Sequence, residues 1–206
     1  SRLNRALQKA IARHPMLRAI LLPNGRQQIL SNVPPYKIVI EDVREMSPRE
    51  REQKILDERE RMSHQIFPLG KWPLFAWKAF RLDEQRHVLC FSWDVIIMDG
   101  SSVNKLIEEL IHFYHQPDLE LPAFTFHFSD YIQAYQQRKQ TAAYAQARAY
   151  WKRKIPTLPF APSLPLQKDL HQVTKPRFSI KHHFWNEKDW RAIQRWARRH
   201  HLTPSA

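Results

Sequence analysis

The sequence predicts an α/β lobe in which helices flank a sheet, because segments with helical and with strand periodicity alternate along the 206 residues. Hydrophobic residues make up 43% of the chain and aromatic residues 12%, which is typical of a globular protein with one sizeable core. The sequence contains no internal repeat and no low-complexity linker. We therefore expect one folded unit.

The first half of the chain combines a hairpin signal with a strong helix start. Ser47, Pro48 and Glu50 occupy the capping, first and third helical positions, a pattern that specifies a helix N-terminus. Pro-Asn-Gly at residues 23–25 separates two short apolar runs, as in a β-hairpin. The predicted elements are an amphipathic helix over 1–14, hairpin strands over 17–22 and 27–30, a strand over 36–40 and a helix from 47 to about 66.

The second half predicts the rest of the sheet and three more helices. A turn at residues 83–86 separates two apolar runs, and a proline-rich segment over 156–165 ends a long helical pattern. The predicted elements are strands over 74–82 and 87–93, helices over 102–115 and 130–154, a strand over 178–185 and a helix over 186–201.

Two aspartates interrupt the apolar passage from the second of these strands into the helix that follows. Asp94 and Asp99 flank Val-Ile-Ile-Met, and Gly100 and Ser101 suit a turn and a helix start. Removing a carboxylate from water costs several kcal/mol unless the carboxylate is paired, so both positions need an explanation. In a functional interpretation they act as acid, base or orienting group in a reaction cavity. In a structural interpretation each pairs with an arginine or caps a helix.

The pattern DxxxxDxxS, formed by Asp94, Asp99 and Ser102, resembles the core signature of heterocyclization domains of non-ribosomal peptide synthetases. Ordinary condensation domains carry HHxxxDG at this place, so Asp94 and Val95 stand at the two histidine positions. Other segments resemble further motifs of the family in the same order: Arg13 to Gln27, Leu158 to Leu166 and the C-terminal Thr203 to Ala206.

The resemblance implies a fold and a chemistry. The fold would be that of chloramphenicol acetyltransferase, with two similar lobes in a V, and residues 1–206 would form the N-terminal lobe without the family's opening motif or its second lobe. The complete domain would condense an acyl or peptidyl thioester with carrier-bound cysteine, serine or threonine. It would then cyclodehydrate the product to a thiazoline or oxazoline, as in siderophore biosynthesis. The fragment by itself is predicted to be inactive.

The resemblance also implies partners and site residues. Both substrates would arrive on phosphopantetheine arms of carrier domains, so the chain itself would bind no cofactor directly, and adjacent synthetase domains would be further partners. Asp94 and Asp99 would be required for activity, in a catalytic or a structural role, with Ser102 completing the motif. Val95 cannot transfer protons, and for His14, at a helix end, we favour a structural role.

The charge of the chain points to an acidic partner without identifying it. The formal net charge is +13 and the pI about 10.1. An alternative function is therefore a catalytically silent lobe that docks acidic carrier or neighbouring domains through its basic surface. Arg191, Arg195 and Arg198 lie on one side of the last predicted helix, an arrangement typical of a solvated face.

Several other classes of function are disfavoured. The tryptophans near the last helix fit a core better than a base-stacking surface, so we expect no nucleic-acid partner. The histidine pairs lack converging carboxylates or cysteines, which argues against a metal site. No run approaches 18 apolar residues and the N-terminus resembles no signal peptide, so we expect a cytoplasmic protein without a membrane partner. Cys90, in an apolar run, is predicted to lie in the core.

Overall fold

The computed structural model describes residues 2–160, 165–174, 177–178 and 183–205. The chain divides into two compact units, Ser1–Phe160 and Ala161–Ala206. The first unit contains the predicted site residues, and the second contains the last helix.

The predicted α/β alternation is confirmed. In chain order the elements of the first unit are α1 (Arg2–Arg13), β1 (Ala19–Leu21), β2 (Gln27–Ile29), β3 (Val39–Asp42), α2 (Pro48–Ser63), β4 (Phe75–Arg81), β5 (His87–Trp93), α3 (Gly100–His115), α4 (Phe128–Arg138) and α5 (Ala142–Lys154). In the second unit α6 (Glu187–Arg199) is capped by Asn186, whose side chain accepts a hydrogen bond from the backbone N–H of Asp189.

The strands form a hairpin and a three-stranded mixed sheet. β1 and β2 pair antiparallel, and Gly25 in their turn has a φ of 77°, in the left-handed region that favours glycine. In the larger sheet, ordered β3-β4-β5, β4 runs parallel to β3 and antiparallel to β5. Phe75 pairs with Trp93, so the end of β5 lies beside the start of β4.

The side chains of β4 alternate between two cores, as strand geometry requires. Phe75, Trp77 and Ala79 belong to a cluster that includes buried residues of α1 and α3. Phe80 points to the other face and packs in a smaller cluster with Val43, Met62 and Cys90. Helices therefore cover both faces of the sheet, and the burial of Cys90 is confirmed.

Three predicted boundaries need correction. The helix expected over 130–154 is two helices, because the Thr141 hydroxyl accepts a hydrogen bond from Tyr144 N–H and starts α5 anew. β3 begins at Val39 and not, as predicted, at Tyr36. Tyr36 contacts the neighbouring strand through its side chain, because its hydroxyl accepts a hydrogen bond from Trp77 N–H at 2.8 Å. α2 begins with the predicted capping box but ends at Ser63.

The strand predicted over 178–185 falls largely outside the described residues. Residues 179–182 are not described, and residues 183–186 lie in no strand.

Candidate functional site

The loop between β5 and α3 carries the aspartate motif and is fixed by its own hydrogen bonds. Asp94 Oδ1 accepts a hydrogen bond from Ile96 N–H at 3.0 Å, and the Asp94 carbonyl accepts one from Ile97 N–H at 3.1 Å. Asp94 N–H in turn donates to the carbonyl of Leu74, at the start of β4, at 2.9 Å. Asp94 forms no ion pair with the residues that the structure describes. Its carboxylate thus closes a local turn, and the arginine partner considered above is not found there.

Asp99 caps α3. Its backbone is extended, with φ −89° and ψ 178°, and its Oδ1 accepts a hydrogen bond from Ser102 N–H at 2.8 Å. Hydrogen bonds from the Ser102 backbone and side chain lower the pKa of the Asp99 carboxyl. The second aspartate and the serine of the motif are therefore brought together, in the geometry of a helix N-terminus.

Neighbouring elements hold the middle of the loop. The Trp93 indole N–H donates to the Met98 carbonyl at 3.1 Å, and the Gln27 side-chain amide donates from β2 to the Ile96 carbonyl at 2.9 Å. Met98 is buried, whereas the side of the loop at Val95 is open, with this residue 81% exposed. The loop thus presents an apolar side chain where ordinary condensation domains carry a histidine.

A cavity of about 400 Å³ lies against this loop. Asp99 and Ser102 line it, and Asp94 does not. The other lining residues are His14, Met16, Leu17, Val95, Ile96, Ile97, Met98, Leu106 and Phe128. A second cavity, of about 570 Å³, shares Met16 and Phe128 with the first, so apolar space of substrate size continues past these two side chains.

A buried carboxylate beside the cavity was missed by sequence reasoning. Glu109 of α3 is only 3% exposed, and its Oε2 lies 3.0 Å from Arg13 Nε and 2.8 Å from His14 Nε2. The Arg13 guanidinium also donates to the Pro122 carbonyl at 2.7 Å and lies over the Phe124 ring, 4.0 Å from its centroid. A signal was present in the sequence, because Glu109 lies on the apolar stripe of α3, where an unpaired charge is expensive.

The segment from Arg13 to Gln27 has a clear structural role. Besides the contacts of Arg13 and His14, Arg18 donates to the carbonyl of Ile11 at 3.2 Å and to that of Leu30 at 2.6 Å. Arg18 therefore ties the end of α1 to the hairpin, and the hairpin in turn supports the aspartate loop through Gln27.

The described part of the chain contains no cluster of three or more His, Cys, Asp or Glu side chains that could hold a metal ion. Within the same residues, no helix has the length and apolar character needed to cross a bilayer.

Comparisons with known proteins agree with this architecture. The family model described as the condensation domain matches residues 1–205. Bacitracin synthase 1 of Bacillus licheniformis is 38% identical over 206 residues, which are all of this chain and 4% of that protein. Pyochelin synthetase PchE of Pseudomonas aeruginosa is 31% identical over 205 residues, again the whole chain and 14% of that protein.

A solved structure extends the similarity to three dimensions. The EpoB cyclization-docking bidomain of a non-ribosomal peptide synthetase from Sorangium cellulosum superposes with a TM-score of 0.84 at 34% identity, covering 98% of this chain and 40% of that one. This chain thus spans a small part of its curated relatives and less than half of the similar bidomain. The α/β architecture predicted from the sequence is the one seen in that structure. The chain belongs to the condensation-domain family.

Proposed function

We propose that the chain is part of a heterocyclization domain of a non-ribosomal peptide synthetase. In the first step the amine of a carrier-bound cysteine, serine or threonine attacks an acyl or peptidyl thioester, so that a C–N bond forms, the C–S bond breaks and a pantetheine thiol leaves. In the second step the side-chain thiol or hydroxyl adds to the new amide carbonyl. Loss of water then gives a thiazoline or oxazoline.

The observation that carries this proposal is the identity and placement of the loop residues. Val95, at the second histidine position of ordinary condensation domains, is exposed and lines the cavity, so histidine-dependent condensation lacks its group at this position. Asp94, Asp99 and Ser102 complete the alternative signature, and both carboxylates accept backbone hydrogen bonds within the loop. The similarity to a bidomain that contains a cyclization domain supports the same interpretation.

The contacts of the two aspartates support a positioning role for them in this proposal. Asp94 closes the turn that presents Val95, and Asp99 sets the start of α3, from which Ser102 faces the cavity. Each carboxylate accepts a hydrogen bond from a backbone N–H, so both help to fix the loop. Activity would depend on them because a displacement of about 1 Å at a reaction site can lower the rate about 100-fold.

Carrier domains with phosphopantetheine arms and adjacent synthetase domains would be the partners of this domain in the cytoplasm. Siderophore assembly is the pathway that we propose, and one similar protein is a pyochelin synthetase.

The test uses the intact parent synthetase, loaded with acyl and aminoacyl carrier substrates, and intact-mass spectrometry. We compare wild type with Asp94→Ala, Asp99→Ala and Asp57→Ala, the last an exposed aspartate of α2 that serves as the control. Condensation followed by a loss of 18 Da is expected from wild type and Asp57→Ala, and both steps should be impaired in the other two. A wild-type enzyme that condenses without losing water would refute heterocyclization, and residues 1–206 alone should give no product.

A second candidate function is a binding lobe without catalysis. It is favoured by residues 131–160, which contain six basic and no acidic side chains: Arg138, Lys139, Arg148, Lys152, Arg153 and Lys154. No residue of α4 or α5 is buried, so these charges are open to an acidic carrier domain. Calorimetric binding of such a domain to the isolated chain, weakened by salt and by Arg148→Ala with Lys152→Ala, together with an inactive parent, would favour this candidate over the enzyme.

A further inference from the structure

His14 differs from the other cavity-lining residues in its chemistry. It is the sole imidazole among the described residues that line the 400 Å³ cavity, and Asp99 is the other titratable group there. Hydrogen bonds from Ser102 lower the pKa of Asp99, which makes this carboxylate a poor proton acceptor near neutral pH. An imidazole, by contrast, carries a ring nitrogen whose lone pair can accept a proton.

The buried carboxylate of Glu109 fixes the orientation of the imidazole. Arg13 Nε bonds Glu109 Oε2 at 3.0 Å, and a carboxylate balanced by a guanidinium can only accept hydrogen bonds. The contact of 2.8 Å therefore requires a proton on His14 Nε2. In the neutral ring this leaves the lone pair on Nδ1, which forms no hydrogen bond with the described residues.

The surroundings keep the ring in this orientation. Phe124 packs against the imidazole with ring centroids 5.2 Å apart, and the Arg13 guanidinium lies over the same phenyl ring. The charged groups that face His14 are Glu109 and Arg13, which belong to the contact network, and Asp99, which shares the cavity wall. A base held by a carboxylate, which is itself held by a third group, is the arrangement by which enzymes orient a catalytic imidazole.

We propose that His14 accepts the proton of the attacking amine during acyl transfer in this cavity, an assignment that rests on the proposed function. As the C–N bond forms and the C–S bond breaks, one amine proton passes to Nδ1. Glu109 stabilises the resulting imidazolium, because its carboxylate already accepts the proton on Nε2. The imidazolium then gives its proton to the leaving thiolate, so the imidazole ends the cycle neutral. A structural role was expected for His14 from the sequence, and in this proposal its structural contact with Glu109 is what orients the base.

The test is the condensation rate of the intact parent synthetase carrying His14→Gln. The glutamine amide can still donate to Glu109 but has no basic nitrogen. We expect kcat to fall by about 100-fold or more, in the range for loss of a general base, while KM for the acceptor changes little. The pH dependence of the rate should also differ from that of wild type. His115→Gln, at the exposed end of α3 and outside both cavities, is the matched control and should behave as wild type.

Chemical rescue separates a proton-transfer role from a structural one. Imidazole and substituted imidazoles added to His14→Ala should restore the rate, and the restored rate should rise with the basicity of the added compound. Wild-type rates in His14→Gln, or a loss that no imidazole restores and that leaves the pH profile unchanged, would overturn the assignment. Acyl transfer is scored separately from water loss, so a wild type that condenses without cyclising refutes heterocyclization while His14 is still tested.

Discussion

Removing the Glu109 carboxylate should destabilise the chain, because it leaves Arg13 and His14 without their shared acceptor. Breaking a buried ion pair from one side costs about 3–5 kcal/mol. Here the partners can recover part of this loss, since the side chains of Arg13 and His14 are 16% and 21% exposed and Arg13 keeps its bond to the Pro122 carbonyl. We therefore expect Glu109→Ala to lower the free energy of unfolding by about 2–3 kcal/mol, below the range for a fully buried pair.

The assay is urea unfolding of residues 1–206 at pH 7, monitored by tryptophan fluorescence. Thermal melting of the same protein gives the change in Tm. For a chain of this size the expected loss corresponds to a decrease in Tm of about 4–12 °C. Glu108→Ala is the matched control, because Glu108 lies next to Glu109 on α3 but is exposed, 3.6 Å from Lys105. Its effect should be within about 0.5 kcal/mol.

A double-mutant cycle identifies the source of the loss. Arg13→Ala, Glu109→Ala and the double variant should show a coupling energy of about 1–3 kcal/mol, as is usual for contacting residues in one network. Equal stabilities of Glu109→Ala and Glu108→Ala, or additive losses in the cycle, would refute the argument that Glu109 is a buried and paired carboxylate.

Four further measurements test single contacts of the fold. Folding lowers the pKa of Asp99, so wild type should be more stable than Asp99→Asn by its full margin above pH 3.8, the ordinary pKa of the group. This margin should disappear as the pH falls through the lower pKa of the folded state. Urea unfolding measured from about pH 7 to about pH 2.5 would show the change. Ser47→Ala removes the hydroxyl of the capping box and should lower the free energy of unfolding by about 1 kcal/mol in the same assay; no change would contradict the capping geometry. Gly25→Ala, at a φ of 77° with open space around it, should cost about 1 kcal/mol through backbone strain alone, with Gly100→Ala as the comparison at a glycine without a positive φ. Burial raises the pKa of the Cys90 thiol, so native protein should react with a thiol reagent only as fast as it unfolds, and rapid modification of the folded chain would contradict this.

Local sequence signals specified most elements of the first unit. The capping box at Ser47, the Pro-Asn-Gly turn and the two apolar runs before Asp94 act over a few residues, so the pattern and the structure agree there. The division of the helix over 130–154 was harder to predict. The residues on both sides of Thr141 favour a helix. Hydrophobic periodicity does not indicate whether one capping hydroxyl is enough to start a new helix within such a segment.

The sequence by itself determined the α/β alternation, the place of the Asp94, Asp99 and Ser102 motif at a strand-to-helix junction, and the family resemblance that the comparisons confirmed. These features depend on residues close to one another in the chain. Only the tertiary structure decided that His14 and Glu109, 95 positions apart, meet beside the same cavity. Such a contact forms because α1 packs on α3, and no local pattern encodes which side chains meet when two apolar faces come together.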